Sequence, residues 1–154
     1  MNISFRVNGE KFNYRVCGIL VSDGKILAMK DERSPCYYLP GGRVALGETA
    51  EQAVCRELRE ELAVEARIVR PLWLHQSFFT EEVDHLRYHE LYLYFLTEAL
   101  SARAQAFDGA EAGHRHRFEW LPFERLKDEH FCPLFLEEGI FRLPASLTLL
   151  TTYE

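Results

Sequence analysis

Nothing in the chain offers a helical membrane span, because it has no apolar run of the necessary length. Cysteine is scarce. Cys17, Cys36, Cys55 and Cys132 form no Cys-x-x-Cys pair, which speaks against a zinc site. A chain of 154 residues can build an ample core and does not need a disulfide framework. The four are read as reduced thiols. Basic charge is in deficit, with 18 Lys and Arg against 24 Asp and Glu, a formal charge of −6. Broad attraction to extended nucleic acid or to an anionic membrane is therefore not expected. The opening residues, Met-Asn-Ile-Ser-Phe-Arg-Val, lack the basic-then-apolar pattern of a secretory signal, so a cytoplasmic location is expected. Repeats, low-complexity tracts and linkers are also lacking. The expectation is one domain spanning residues 1–154.

What is there is a block of 23 residues from Gly42 to Val64. A Gly-bounded turn leads to Glu48, and a helical pattern follows. Thr49 and Gln52 form a capping-box pair, and Glu51 places negative charge at the positive helix end. Ala50, Val54 and Leu58 recur at four-residue steps and make an apolar stripe. Glu57, Glu60 and Glu61 sit at helical offsets of zero, three and four, so they share one side of the helix. At about 100° per residue, Glu57 and Glu61 lie beside the apolar stripe, not opposite it. Carboxylates facing inward are costly unless paired or bound to a cation. The plainer alternative is a solvated Glu/Arg face with internal ion pairs, as charge runs usually are.

The block resembles the Nudix box, the signature of hydrolases that cleave nucleoside diphosphates linked to another group. That pattern runs Gly, five residues, Glu, seven residues, then Arg-Glu-apolar-any-Glu-Glu-any-Gly-apolar. Gly42, Glu48, Arg56, Glu57, Leu58, Glu60, Glu61 and Val64 match it. Ala63 stands where the family usually has Gly, which puts the helix exit in question. The resemblance implies an α/β fold of the Nudix type, a mixed β-sheet in an α/β/α sandwich. It also implies that Glu57, Glu60 and Glu61 hold Mg²⁺ or Mn²⁺, hard cations suited to oxygen ligands. Arg56 would hold a box glutamate, Glu48 would support the site, and Glu61 would also orient the attacking water.

Other residues are weighed beside the box. Pro40-Gly41-Gly42 is a sharp turn that can bring backbone close to phosphate. Arg43 is a phosphate contact or a solvated strand residue. Glu90 alternates with Tyr92 and Tyr94 on one strand face and is a candidate general base, as is Glu111. His114 to Arg117 adds local positive charge. Tyr37, Phe78 and Phe79 could stack on a base, although such residues are more often core.

Strands are expected over Asn13 to Val21 and Lys25 to Met29, joined by an Asp-Gly hairpin. Others fall at Val64 to His75 with a break or edge at Pro71, Leu91 to Thr97, Arg117 to Leu121, and an edge strand within Ser146 to Tyr153. Gln76 to Arg87 reads as loop or hairpin, and Glu98 to Gly113 as a loop. Helices are expected from Pro122 to about Lys127 and from Cys132 to Ile140. A small nucleotide derivative is the implied substrate, and a homodimer is compatible with the edge-like tail. A non-catalytic nucleotide sensor and an RNA 5′-pyrophosphohydrolase are the alternatives. The residues downstream of the box, Ser77 to Thr80, carry no marker of a particular substrate.

Overall fold

Long runs of alternating and β-branched residues become long strands. The computed structural model describes residues 1–32, 34–100, 107–111 and 114–154, with backbone only at 107–111 and 114–116. The strands are β1 (Ser4–Val7), β2 (Glu10–Ser22), β3 (Lys25–Asp31), β4 (Tyr37–Tyr38) and β5 (Gly41–Arg43), followed by helix α1 (Ala50–Leu62). Then come β6 (Ala66–Thr80), β7 (Arg87–Ala99), β8 (Phe107–Glu111), β9 (His114–Pro122), β10 (Phe131–Cys132), the short helix α2 (Leu136–Gly139) and β11 (Thr148–Tyr153). The main path through the sheet runs β10-β4-β3-β2-β7-β6-β11. It is mixed. β2 runs parallel to β7, β6 antiparallel to β7, and β11 parallel to β6.

Alternation along β2 and β7 gives each face its own core. Val16, Leu20 and Phe95 turn towards α1 and meet Val54 and Leu58. Ile19 and Tyr94 turn the other way and meet Leu126, Leu136 and Ile140. The sheet is thus sandwiched, as the Nudix resemblance implied. Leu58 is fully buried, which contributes about 2 kcal/mol. It seats on Gly18, where an added Cβ would come within 3.0 Å of Leu58 Cδ1.

The capping box forms as expected. The Thr49 N–H donates to Gln52 Oε1 at 2.9 Å, and the Gln52 N–H donates to Thr49 Oγ1 at 3.1 Å. The Asp23-Gly24 hairpin forms with both residues at positive φ, which matches the twist of the flanking strands. Four expectations are corrected. The strand expected to end at His75 runs on to Thr80, and the turn is confined to 81–86, where Asp84 accepts from the Leu86 N–H. Pro71 does not end β6, because register shifts at Ile68/Arg70 and Pro71/Trp73 absorb it. Residues 107–111 pair with β9 as a strand, and 101–106 and 112–113 lie outside the described residues. The two late helices shrink to a 3₁₀ turn at Phe123–Arg125 and a single turn at α2. Pro133 explains the second, because the residue before a proline is pushed to extended backbone, and Cys132 pairs in β10 instead.

The helix exit is also settled. Ala63 takes the left-handed conformation, φ 54° and ψ 34°, and its N–H donates to the Arg59 carbonyl at 3.0 Å. The exit keeps the geometry that Gly would give, at a strain cost of roughly 1 kcal/mol. Ala63→Gly is therefore expected to stabilise the fold by a few tenths to about 1 kcal/mol. Urea melts of the two proteins check this, and a loss of stability would contradict it.

Candidate active site

The site begins with where α1 ends up. β5 pairs antiparallel with β2, setting Arg15 opposite Arg43, Val16 opposite Gly42 and Cys17 opposite Gly41. This brings the glycine turn beneath the second half of α1. An added Cβ on Gly42 would lie 2.3 Å from Glu57 Oε1, so only glycine admits the carboxylate there. At Gly41 an added Cβ would lie 2.1 Å from the Val16 carbonyl oxygen. The Gly41 N–H donates to Glu61 Oε1 at 3.3 Å.

Arg56 is the hub. Its Nε donates to Glu48 Oε2 at 2.7 Å and its Nη2 to Glu48 Oε1 at 3.0 Å, a two-pronged pairing. Its Nη1 donates to Glu57 Oε1 at 2.9 Å and to Glu60 Oε2 at 3.3 Å. Nη2 also reaches the Arg43 carbonyl at 3.1 Å, which ties the helix to β5. Glu48 accepts from the Ala45 N–H as well, at 2.9 Å. The hydrogen bonds from Arg56 hold the Glu48 carboxyl below the usual carboxylate range. Glu57 moves the other way, because burial raises it despite Arg56. Two neighbouring acids, one of them raised, describe a place that favours a proton or a cation.

The sequence-derived residues are not all gathered. Glu57, Glu61, Gly41, Gly42 and Arg43 line one cleft of about 300 Å³. Glu48 buttresses it through Arg56. Glu60 is half exposed and leans on Arg56, and among the described residues no three acids, histidines or cysteines converge tightly enough to form a metal cage. Glu90 does not line this cleft. It is buried in a neighbouring cavity of about 500 Å³, on the sheet face opposite α1. Asn13 Nδ2 donates to its Oε2 at 2.6 Å and the Tyr92 hydroxyl to its Oε1 at 2.9 Å. The side chains of Glu111 and His114 to His116 lie outside the described residues, and Arg117 is exposed. Tyr37 is core, with its hydroxyl donating to Glu119. Phe78 stacks on Tyr153 at 5.1 Å, and Phe79 on Tyr88 at 5.0 Å.

The larger cavity has an aromatic floor. Tyr92 and Tyr94 lie 5.6 Å apart and 18° from parallel, and His75 continues the stack. Phe135 closes one side edge-on. Arg15, Tyr38 and Leu39 line both spaces, and the charged one, Arg15, was missed by the sequence reading. A lone charge inside the otherwise apolar run of β2 was the signal that could have found it.

A carboxylate cleft organised by one arginine and floored by two glycines thus sits on a mixed sheet between helices. The comparisons name the class of protein. The NUDIX domain family matches residues 11–135, and the chain belongs to that family. The chain is 33% identical over 110 residues to an ADP-ribose pyrophosphatase of Methanocaldococcus jannaschii, covering 70% of this chain and 63% of that protein. It is 35% identical over 75 residues to a CTP pyrophosphohydrolase of Escherichia coli, covering 46% of this chain and 56% of that one. The chain thus spans less than two thirds of the length of either relative. A MutT NUDIX hydrolase from Burkholderia pseudomallei superposes with a TM-score of 0.56 at 27% identity, over 75% of this chain and 86% of that one. A UDP-X diphosphatase superposes at 0.65 and 16% identity, over 89% and 66%, which speaks for the fold alone.

His75 yields a pH prediction. It contacts the Tyr94 hydroxyl through Nδ1 at 3.1 Å and Thr152 Oγ1 through Nε2 at 2.7 Å. Burial pushes it down from 6.5 to about 4. The folded protein holds it neutral, while the unfolded chain takes up a proton first as pH falls. Its contribution is full above pH 6.5 and lost as pH falls towards about 4. Between those values the wild type should lose stability more steeply than His75→Gln. Parallel urea-stability curves for the two would contradict this.

Proposed function

We propose that the chain hydrolyses a pyrophosphate bond in a nucleoside diphosphate linked to another group, at the Glu57–Glu61 cleft. The observation that carries the reading is the Glu57 carboxylate, pressed over Gly42, beside Glu61, and held by Arg56. The donor set suits a divalent cation. Its ligands are hard carboxylate oxygens, and the Gly42 cradle leaves Glu57 room that any Cβ would fill. Glu57 and Glu61 would hold Mg²⁺ or Mn²⁺ directly. Glu60 would join them by swinging off Arg56, an ion pair at 3.3 Å on a half-exposed side chain. A bound cation would screen the phosphate charge and lower the pKa of water.

The chain's own groups supply the rest. Arg56 fixes the carboxylates before substrate arrives, and Glu48 fixes Arg56. Gly42 makes room for the Glu57 carboxylate and the Gly41 N–H holds Glu61, so the glycine turn seats the acids instead of meeting the phosphates by its backbone, and Arg43 pairs with the phosphate charge. Glu61 orients the attacking water. Glu90 accepts two hydrogen bonds away from the cleft, which suits it to gripping the rest of the substrate better than to taking a proton from water. The names of the relatives favour a small nucleotide or nucleotide derivative over RNA. A pure nucleotide sensor is disfavoured because every box carboxylate is present.

Phosphate release with Mg²⁺ or Mn²⁺ tests the reading across nucleoside triphosphates, ADP-ribose, nucleotide sugars and 5′-triphosphate RNA. At least one small nucleotide should be cleaved, and Glu61→Gln should lose more than about a hundredfold in turnover with its fold intact. Equal turnover in that variant would overturn the assignment.

A further inference from the structure

Arg15 and Arg43 are directly opposed across the β2–β5 pair. Opposed residues of an antiparallel pair project from the same face, and like charges there destabilise the sheet. Both side chains line the cleft that holds Glu57 and Glu61. In both, Nε is shut off from solvent and has no hydrogen-bond partner among the described residues. A buried guanidinium nitrogen without an acceptor is costly. The charges of Glu90 and Glu57 favour the Arg15 guanidinium, but no acid among the described residues accepts from either Nε. Glu57 is engaged by Arg56, Glu61 accepts from Gly41, and Glu90 accepts from Asn13 and Tyr92. Arg15 lies over the Tyr92 ring, its carbon 5.6 Å from the centroid, on the wall shared with the aromatic cavity.

We propose that Arg15 and Arg43 form a two-arginine site for a phosphate group of the substrate, the one joined to the moiety that enters the aromatic cavity. The inference rests on the hydrolase reading and adds to it the residues that hold the phosphate chain where no carboxylate can. Guanidinium groups match phosphate oxygens in pairs, and these two line the cleft from directly opposed positions, so one phosphate can lie between them. Arg15 then couples the two spaces. The bond to be cleaved sits over the carboxylates, and the planar end of the substrate lies on the Tyr92–Tyr94 floor. Selectivity for phosphate-linked compounds with a planar group follows from that spacing.

The test separates this from the chemistry. In a Glu57→Gln/Glu61→Gln background, inorganic pyrophosphate is titrated by calorimetry in the presence of EDTA, so neither metal nor turnover contributes. Adding Arg15→Met or Arg43→Met should weaken binding at least about tenfold, with the Lys variants falling between. In the wild-type background, thermal melting of the two Met variants should be unchanged or raised, because the opposed charges are relieved. Pyrophosphate binding that both Met variants leave intact would overturn the proposal. So would a lowered melting temperature in both, which would make the arginines counter-ions for Glu57 and Glu61. If the hydrolase reading fails and arginine-dependent binding persists, the anion site stands without it.

Discussion

The structure around the cleft depends on one guanidinium. Arg56 meets Glu48 with two prongs, Glu57 and Glu60 with a third nitrogen, and the Arg43 carbonyl as well. Ordinary surface ion pairs contribute about 0–1 kcal/mol, but a forked, multi-partner arginine belongs to the geometries that do more. Its larger effect is positional. Arg56 fixes the helix against β5 and keeps acids from one helix face and one loop at close quarters. Without it, Glu57, Glu60 and Glu61 would repel each other into solvent.

The sheet converts that arrangement into a site. β5 is only three residues long, yet its pairing with β2 puts Gly42 under Glu57 and Arg43 opposite Arg15. The carboxylates therefore share one cleft with two arginines, the arrangement on which the proposed cation and phosphate sites rest. On the far side of Arg15, strand alternation places Glu90, Tyr92 and Tyr94 together in the larger cavity. Two spaces of different chemistry share one wall.

The box helix was legible because its signals are local. The Thr49 and Gln52 cap, the apolar stripe and the clustered glutamates all lie within a few turns of one another. The hairpin at Asp23-Gly24 was legible for the same reason. What the sequence hid was pairing at a distance. The parallel match of β2 with β7, which sends Glu90 to Asn13 and away from Glu57, depends on contacts 77 residues apart. Arg15 was passed over because its meaning comes from Arg43 on another strand. The late helices were overread because apolar residues such as Leu126 and Leu136 are buried by the sheet, not by helical periodicity. Ala63 shows the converse, a departure from the family pattern whose backbone geometry the fold preserves.

The central claim is that Glu57 and Glu61, set in place by Arg56, form a cation site in the free protein. Electron paramagnetic resonance titration of Mn²⁺ tests it without substrate or turnover. The wild type should bind Mn²⁺, and Glu57→Gln should bind it at least about tenfold more weakly while keeping its fold. Equal Mn²⁺ affinity in the two proteins would contradict the account.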